Sequence, residues 1–545
     1  MATRPPFSDD VLPRRRVSRA RYWMRRLWVG TALVLVLALI GTGGLYGYAR
    51  YRYGQIHKVD IRHRPILTSA TGTMNILLAG DNCRACLNGR QAAAFGTGSE
   101  VGGGRSDVTM VLHLDLRSGK ASLLSIPRDL FLPVPGTTTA NRIDAALNHG
   151  PEALVEQIED DLGIPIDHYV SVNFDTFQSI VDDLGGIDMY FPTPVKDAYS
   201  GLKVTATGCQ HLDGFQALAV VRARHLYYFQ NGSWHYDGFG DLSRIKRDHV
   251  FLQVMAAYVQ HHLTNPLAVN QIVGTVAPQL EVDSGLALGT MVSLARQFRS
   301  LNAAGVPTYT LPVVVDPGTY YYRGANYGDV VFPDYPDDST TIAQFLGQPA
   351  PAPAAPGLAV SVLNGTGARN QAATTASSLS GLGYDIAATG DTAPVGSPAE
   401  TTVYYSAGHR DDALALASHL TGLVAVGPLP SAVGPPSSPA AVASVATASA
   451  SGPAVSASGP TDPVTAAASG AALVVVTGTS FAVSPPPIPT NPTGTATPAP
   501  ANPASAPAQT TTTTSPVPSG LGAPTPAQAS LPDFDPTACP PGQGS

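Results

Sequence analysis

Two neighbouring apolar stretches decide the fold class. Residues 107–116 read DVTMVLHLDL, and after a short Ser-Gly turn residues 121–127 read ASLLSIP. In the first stretch the positions from Val108 to Leu116 are apolar at every second residue, which is the period of a β-strand. Because only a short turn separates the two stretches, they predict an antiparallel hairpin.

Further strands and helices lie on both sides of this hairpin. The apolar runs MNILLAG (74–80) and HYVSVNF (168–174) predict buried strands. Residues 151–163 predict a helix, because Pro stands at the first helical position and Gly follows the last turn. Helical patterns recur at 175–185, 214–224, 241–263, 266–280 and 285–300. The mixture predicts an α/β domain at 73–336, with a central mixed sheet flanked by helices.

A second, smaller α/β domain is predicted at 358–484, after a Pro/Ala linker at 337–357. Its strand and helix patterns alternate from LAVSVLNGTG (358–367) onward. Residues 429–470 are rich in Pro, Ser and Ala, and we interpret them as a low-complexity insertion. The apolar run at 471–483 is then a strand that completes the small sheet, or alternatively a chance apolar patch. The Pro/Thr/Ala-rich tail at 485–545 is predicted to be disordered.

The N-terminus has the charge pattern of a membrane anchor. Seven arginines lie at 14–26 in the basic arm at 1–26, and no charged residue occurs at 27–49. A stretch of that length spans a bilayer as a helix, and the preceding arginines favour a cytoplasmic N-terminus. We therefore predict a single-pass protein of the cell membrane, with a stalk at 50–72 and an extracytoplasmic catalytic domain. The alternative is a cleaved signal peptide.

Four cysteines fit an extracytoplasmic location. Cys83 and Cys86 form a Cys-x-x-Cys pair, Cys209 stands alone, and Cys539 lies in the tail. No further ligands at zinc-site spacing accompany them. Disulfide pairing among Cys83, Cys86 and Cys209 is therefore the favoured reading, with the pairing left open.

Charged residues of types that serve in catalysis or ligand binding lie where predicted helices and strands begin or end. Guanidinium groups match phosphate oxygens in pairs and stay protonated, so a group of arginines suits a pyrophosphate. Carboxylates are candidate ligands for Mg²⁺ bound to the same phosphates. Taken singly, each residue has an ordinary structural explanation, and only the number of arginines favours a site. The sequence contains no Walker loop, no Gly-x-Ser-x-Gly and no His-Glu-x-x-His. The residues in question are Asp81, Asp107, Arg128, Arg222, Arg224 and Arg244.

The order of several segments resembles the LytR-CpsA-Psr family. The resemblance covers residues 74–260, and the region at 358–484 resembles the smaller domain often attached to that family. The segments are NILLAGDNCR, GRSDVTMVLHLD, LLSIPRDLFLPVPG, NRIDAALNHGPEAL, GGIDMYFP, CQHLDGFQALAVVRARH and GDLSRIKRD.

This resemblance implies a hydrophobic pocket for a polyprenyl chain and a specific activity. The expected reaction moves a glycosyl-phosphate polymer from a polyprenyl pyrophosphate donor to peptidoglycan, assisted by Mg²⁺. The alternatives are a polyprenyl-pyrophosphate hydrolase and a non-catalytic envelope binding or regulatory protein. No nucleic-acid partner is expected, because the short cytoplasmic arm cannot form a DNA-binding domain. The expected roles are catalytic for Asp107, Arg128, Arg222, Arg224 and Arg244, substrate-binding for Arg84, Arg105 and Arg247, and metal-binding for Asp81 and Asp107.

Two positions depart from the family pattern. Many members have Gly-x-Asp-x-Arg where this chain has Gly-Asp-Asn-Cys-Arg at 80–84, so either Asp81 or Asn82 occupies the metal-ligand position. Asp248 stands where Gln is usual and places a carboxyl group beside the expected phosphate site. Pairing with Arg244 four residues earlier is one way to accommodate it.

Overall fold

The chain forms two units, at 1–56 and 57–545, in the computed structural model. In the first unit residues 46–53 are helical. Within the described part of the chain, no helix combines the length and apolar character needed to cross a membrane. Most of the predicted anchor at 27–49 lies outside that part. The structure describes residues 43–44, 46–61, 67, 69–81, 105–137, 139–238, 240–262, 266–316, 318–349, 357–392, 398–430, 464, 467–468, 470–483 and 534–541.

The second unit begins with a domain of strands and helices in irregular alternation. In chain order its elements are β1 His57–Val59, β2 Thr73–Asp81, β3 Ser106–Asp115, β4 Lys120–Ile126, β5 Phe131–Pro133, β6 Ala140–Arg142, α1 Pro151–Leu162, β7 His168–Asn173, α2 Phe174–Asp183, β8 Ile187–Phe191, β9 Val195–Asp197, β10 Leu202–Val204, β11 Gly208–Leu212, α3 Gly214–Arg222, β12 Tyr227–Gln230, β13 Ser233–Tyr236, α4 Gly240–His262, α5 Pro266–Val276, β14 Glu281–Asp283, α6 Leu288–Gln297, β15 Thr308–Thr310, β16 Val313–Val315, β17 Tyr320–Tyr322, β18 Ala325–Gly328, β19 Val331–Pro333 and α7 Asp337–Phe345.

A seven-stranded mixed sheet forms the centre of this domain, in the order β1-β14-β7-β2-β3-β4-β15. The hairpin predicted from residues 107–127 is confirmed as the antiparallel pair β3–β4. Strand β2 pairs antiparallel with β3 and parallel with β7. The predicted helices at 151–163, 214–224 and 241–263 are confirmed as α1, α3 and α4 within two residues at each end.

The central sheet is covered on both faces. On one face Leu77, Val111 and Leu124 are fully buried in a core shared with α1 and α7. The neighbouring positions Leu78 and Met110 point to the opposite face, because successive strand residues alternate. That face is lined by α2, α3 and α4, which leave a cavity between themselves and the sheet. The alternation read from the sequence therefore describes only one of two buried faces of β3.

The predicted linker at 337–357 begins too early. Residues Asp337–Phe345 form α7, and Ile342 and Phe345 are buried in the core of the first domain. Helix α7 contacts β4 and β15 at the edge of the central sheet. Its polar first turn hid this role in the sequence, because only the apolar residues of the second half reach the core.

The small domain has a five-stranded sheet in the order β21-β20-β25-β22-β24. Strand β25 pairs parallel with β20 and antiparallel with β22, which confirms that the apolar run at 471–483 completes the sheet. Most of the predicted insertion at 429–470 lies outside the described residues. The elements are β20 Ala359–Asn364, α8 Gln371–Gly381, β21 Asp385–Asp391, β22 Thr401–Tyr405, α9 Arg410–Ala417, β23 Leu420–Gly422, β24 Val424–Pro428, β25 Leu473–Thr477 and β26 Phe481–Val483.

The two domains meet at the C-terminal end of α1. The hydroxyl of Tyr405 donates to the carbonyl oxygen of Asp160 at 2.5 Å, and Arg410 Nη2 donates to that of Asp161 at 3.0 Å. The last carbonyls of a helix lack partners within the helix, so these bonds satisfy them. Burial raises the pKa of Asp160 to about 6 and that of Asp161 well above its ordinary value. We refer to Asp160, Asp161, Tyr405 and Arg410 as the junction cluster.

A disulfide bond holds part of the C-terminal tail against the first domain. Cys209 pairs with Cys539, and the ring of Phe534 packs against Phe191 at 5.6 Å between centroids. The predicted pairing among Cys83, Cys86 and Cys209 is therefore wrong for Cys209. The predicted disorder of the tail is wrong for residues 534–541, because a covalent bond and an aromatic contact fix them. Cys83 and Cys86 lie outside the described residues.

Candidate active site

A mostly apolar cavity of about 480 Å³ lies between the central sheet and helices α2, α3 and α4. Leu78, Met110 and Val170 form its floor on the sheet side. The rings of Phe174, Phe177 and Phe251 and the side chains of Ile180, Leu218, Leu252 and Met255 complete its apolar wall. Charged residues also line the cavity, and they are Asp107, Arg128, Asp197, Arg222, Arg224, Arg244 and Asp248.

Asp107 owes its position to an irregularity in the β2–β3 ladder. Gly80 is paired with Val108 and Asp81 with Ser106, so Asp107 has no opposite residue on β2. A β-bulge of this kind redirects the side chain of the extra residue. The Asp107 carboxylate lines the cavity and accepts a hydrogen bond from the guanidinium of Arg128, at the end of β4.

Four elements bring arginines and aspartates together beside Asp107. Arg224 Nη2 donates to Asp129 Oδ2 at 2.7 Å, and its Nε lies 3.3 Å from Asp241 Oδ1. Arg244 Nη2 lies 2.9 Å from the same oxygen of Asp241 and donates to the main-chain oxygen of Asp107 at 2.6 Å. Each guanidinium is therefore held in one orientation by groups from two elements. We refer to Asp107, Arg128, Asp129, Arg224, Asp241 and Arg244 as the cavity cluster.

The electrostatics of the cavity cluster favour permanently charged arginines. Burial lowers the pKa of Arg128, but Asp107, Asp129 and Asp241 outweigh that effect and raise the pKa overall. Arg128 and Arg224 keep 18% and 31% of their side-chain surface exposed, so both remain accessible to a ligand. Such groups are suited to bind phosphate oxygens.

Arg222 contributes to the cavity from the last turn of α3. That helix begins with a capping box, in which Asp213 and Gln216 each accept from the other's main-chain amide. The guanidinium of Arg222 lies 4.5 Å from the centre of the Phe174 ring. This cation–π contact holds Arg222 where the charged mouth meets the apolar wall.

Asp248 lies beneath the cavity cluster on α4. Its Oδ2 is 3.7 Å from Arg244 Nε, the separation expected for pairing four residues apart, but neither Asp248 oxygen has a hydrogen-bond partner among the described residues. Burial raises the pKa of Asp248 to about 8, although Arg244 and Arg247 act in the opposite direction. The carboxyl group is therefore mostly neutral at pH 7, and it resembles an amide in size and hydrogen-bonding capacity.

Comparison with known protein families identifies the domain that carries this cavity. The model of the LytR_cpsA_psr family matches residues 46–330, which is more than half of the 545 residues. The chain belongs to the LytR-CpsA-Psr family. Residues 357–435 match a second model, described as LytR cell envelope-related transcriptional attenuator.

Several members of the family share sequence with this chain. The probable cell wall biosynthesis protein LcpB of Corynebacterium glutamicum is 31% identical over 53% of this chain and 63% of its own length. TagV of Bacillus subtilis, named a polyisoprenyl-teichoic acid–peptidoglycan teichoic acid transferase, is 30% identical over 40% of this chain and 56% of its own length. In both cases the match spans less than two thirds of the relative.

Solved structures of family members also match. A LytR-Csp2A-Psr enzyme from Actinomyces oris is 26% identical, with a TM-score of 0.43, over 53% of this chain and 95% of that one. The crystal structure of B. subtilis TagV is 23% identical, with a TM-score of 0.39, over 51% of this chain and 99% of that one.

All five residues that the family resemblance indicated as catalytic lie at the cavity. Asp107, Arg128, Arg222, Arg224 and Arg244 come from four separate parts of the chain, and all five line the cavity. Their roles in catalysis stay predictions.

The three residues predicted to bind substrate lie in different environments, and none of them is seen to line the cavity. Arg84 lies outside the described residues. Arg105 does not line the cavity, and its Nη1 lies 3.9 Å from Asp144 Oδ2. Arg247 is 2% exposed, donates to the Ala223 carbonyl and to Ser243 Oγ, and pairs with Asp237. The structure contradicts direct substrate binding by Arg247, because Arg247 does not line the cavity and its guanidinium contacts groups of the protein interior.

Asp81 and Asp107 lie close enough for the Asp107 charge to act on Asp81. Burial raises the pKa of Asp81 to about 6, with further contributions from Glu281 and Asp107. Asp81 Oδ1 is buried and has no hydrogen-bond partner within the described residues. The described residues contain no group of three or more His, Cys, Asp or Glu that could hold a metal. Asp81 does not line the cavity that holds Asp107, and it lines a second pocket together with Glu281. Asn82, the other candidate, lies outside the described residues.

Sequence reasoning missed several residues around the cavity. Arg142 Nη1 donates to Asp129 Oδ1 at 3.3 Å, which places a fifth guanidinium beside the cavity cluster. Tyr199 and His225 line the cavity, and their rings contact each other at a tilt of 42° with centroids 4.4 Å apart. Arg142 lies within the segment NRIDAALNHGPEAL that resembles the family, so the resemblance could have indicated it as a site residue. No local pattern marked Tyr199 or His225.

Proposed function

We propose that this chain transfers a glycosyl-phosphate polymer from a polyprenyl pyrophosphate carrier to peptidoglycan. The observation that carries the proposal is an apolar cavity with arginines and Asp107 along its lining. An apolar wall suits a polyprenyl chain, and fixed guanidinium groups suit the pyrophosphate attached to it. The names of LcpB and TagV place those relatives in cell-wall biosynthesis, which supports the same substrate classes here.

The reaction is a substitution at the phosphorus that bears the polymer. A peptidoglycan hydroxyl oxygen forms the new bond to that phosphorus, and the bond to the bridging oxygen breaks. Polyprenyl monophosphate leaves with the bridging electrons, and the hydroxyl proton passes to Asp107 or to water. Arg128, Arg224 and Arg244 stabilise the charge that develops on the phosphate oxygens. Because aspartates already fix these guanidinium groups, little reorganisation is needed as charge develops.

A divalent cation, Mg²⁺ in the first instance, is part of the proposal. Asp81 and Asp107 would hold it, together with the donor phosphates. The cation would neutralise phosphate charge and so favour departure of the lipid phosphate.

We also propose that the chain is a single-pass protein of the cell membrane, with its N-terminus cytoplasmic and both domains extracytoplasmic. The seven arginines at 14–26, directly before the uncharged stretch at 27–49, support this topology. The Cys209–Cys539 disulfide supports exposure of the domains to an oxidising compartment. The donor lipid would then reach the cavity from the outer leaflet.

The test uses the full-length chain in lipid nanodiscs. A synthetic polyprenyl-pyrophosphate glycan serves as donor and peptidoglycan oligomers serve as acceptor, with and without Mg²⁺, and products are identified by mass spectrometry. The expected product is a phosphodiester-linked adduct that Arg128→Lys greatly reduces. Arg369→Lys is the matched control, because Arg369 is exposed in the small domain.

Each other outcome points to a different function. Release of the glycan phosphate without an adduct would identify a hydrolase. Tight binding of the donor without any turnover would favour a non-catalytic binding protein. Formation of the adduct by Arg128→Lys at the parent rate would support the transferase activity but would show that the cavity cluster is not its active site.

A further inference from the structure

An aromatic hairpin is inserted between the two arginine-bearing parts of the site. Strands β12 and β13 follow Arg222 and Arg224 directly, and they precede Asp241 and Arg244 on α4. The amide of Asp237 donates to the Leu226 carbonyl at 2.9 Å and closes the base of the hairpin. The hairpin therefore lies between the two arginine-bearing parts of the site, with its base closed by a main-chain hydrogen bond.

Four aromatic rings share the outer face of this hairpin. Tyr227 lies opposite Tyr236 and Phe229 opposite Trp234, and the ring centroids of each pair are 5.3 Å apart. These four side chains are between 38% and 50% exposed. The inner face differs, because Tyr228 packs into the core of the domain. The outer rings thus form one continuous, solvent-accessible surface.

Two lysines extend this surface across the neighbouring strands. Lys196 on β9 is paired with Tyr227, and Lys203 on β10 is paired with Lys196. The Lys196 ammonium group lies 4.1 Å from the centre of the Trp234 ring. No acidic residue occupies an outward position on the described strands β9, β10, β12 and β13. We refer to Lys196, Lys203, Tyr227, Phe229, Trp234 and Tyr236 as the aromatic–lysine face.

We propose that the aromatic–lysine face binds the acceptor glycan strand of peptidoglycan and presents its hydroxyl group to the cavity cluster. Flat aromatic rings pack against the apolar faces of sugar rings, as rigid contact surfaces with little entropy to lose. The lysines complement the carboxylates on the peptide stems of an acidic glycan strand. This inference rests on the proposed transferase function and assigns the acceptor side of the same site.

The aromatic–lysine face suits the acceptor better than it suits the donor. The donor already has an apolar cavity for its lipid and arginines for its pyrophosphate. Tyr199 and His225 contact each other and line the cavity, and His225 precedes Tyr227 of the hairpin by two residues. The acceptor strand would therefore reach the phosphorus from the hairpin side, while the donor occupies the cavity.

The first test measures binding without catalysis. Trp234 is the sole tryptophan outside the N-terminal segment, since the other two are Trp23 and Trp28. In full-length protein with those two changed to Phe, Trp234 fluorescence is titrated with peptidoglycan tetrasaccharide-peptides. Saturable quenching is expected, weaker for fragments with amidated carboxylates and weaker again in Lys196→Ala. A response to anionic lipid vesicles and none to the peptidoglycan fragments would overturn the proposal in favour of a membrane-contacting surface.

The second test separates this proposal from the transferase itself. In Trp234→Ala we expect the KM for peptidoglycan oligomers to rise about tenfold, with the KM for donor and kcat nearly unchanged. Tyr321→Ala, at an exposed tyrosine of β17, is the matched control and should have no effect. An unchanged acceptor KM, or a raised donor KM, would overturn the acceptor assignment while transfer stands. Saturable fragment binding without any transfer would instead count against the proposed function alone.

Discussion

The cavity cluster and the junction cluster are built from the same residue types, yet they face different partners. In the cavity cluster the guanidinium groups meet carboxylates, and the arginines also line an open cavity. In the junction cluster Arg410 meets the main-chain carbonyls of Asp160 and Asp161, at the end of a helix. The first arrangement leaves donors directed at a ligand, whereas the second uses them to close a domain contact.

Access to a cavity, and not residue type, therefore separates the two clusters. In the junction cluster the Arg410 guanidinium donates to two main-chain carbonyls at the end of α1, so these donors serve the domain contact and are not directed at an anion. In the cavity cluster Arg128 and Arg224 keep part of their side-chain surface exposed, and Arg244 lines the cavity although it is almost fully buried. Substitutions in and between the two clusters should separate catalytic from structural effects.

Arg128→Ala should reduce glycopolymer transfer by about 10²–10³-fold, because one fixed donor to the phosphate oxygens is lost. Folding should change little, since Asp129 keeps Arg142 and Arg224 as partners. Single-turnover transfer and thermal unfolding are the measurements. Arg410→Ala, in the junction cluster, should show the reverse pattern of lower stability and retained transfer by the folded protein. Equal losses of transfer in both variants would remove the distinction.

Gly163→Ala should lower the free energy of unfolding by about 2–3 kcal/mol. Gly163 has φ of +66°, and a Cβ there would lie 2.1 Å from Arg410 Nη1. Gly119→Ala is the control, because Gly119 has φ of +68° and open space around its Cβ position. Urea unfolding of both variants separates backbone strain from displacement of Arg410. The same loss in both would show that Arg410 moves aside without cost.

Asp248→Asn should stabilise the protein in alkaline solution and have little effect in acid. The folded-state pKa of Asp248 is about 8, above the ordinary 3.8, so the parent loses stability as pH rises from about 4 to about 8. The variant lacks this ionisation, so its stability relative to the parent should increase from pH 5 to pH 9. Urea unfolding at pH 5 and pH 9 measures the difference. A stability difference between variant and parent that shrinks with rising pH would contradict a raised pKa of the Asp248 carboxyl group.

Tyr405→Phe should cost about 1 kcal/mol of stability, because it removes one hydrogen bond to the Asp160 carbonyl. Transfer should remain at the parent level, since Tyr405 does not line the cavity. Tyr321→Phe, at an exposed tyrosine, controls for loss of a hydroxyl group. Reduced transfer at unchanged stability would show that the junction communicates with the cavity.

Several sequence predictions succeeded because their signals are local. The β3–β4 hairpin follows from a two-residue period and a short turn, and α1 follows from Pro151 and Gly163 at its ends. The five catalytic candidates were found by resemblance, and all of them line one cavity. The prediction for Arg247 was wrong, because spacing along a helix does not state which side of that helix is buried.

The sequence by itself determined the central strands, most helices and the residue types that suit phosphate. Those properties depend on periodicity, end signals and side-chain chemistry within short stretches of chain. Only the tertiary structure decided that Cys209 pairs with Cys539 across 330 residues, that α7 belongs to the first core, and that a bulge turns Asp107 into the cavity. It also separated the cavity cluster from the junction cluster. The physical reason is that burial, ion pairing and access to a cavity depend on residues far apart in the chain, which no local pattern contains.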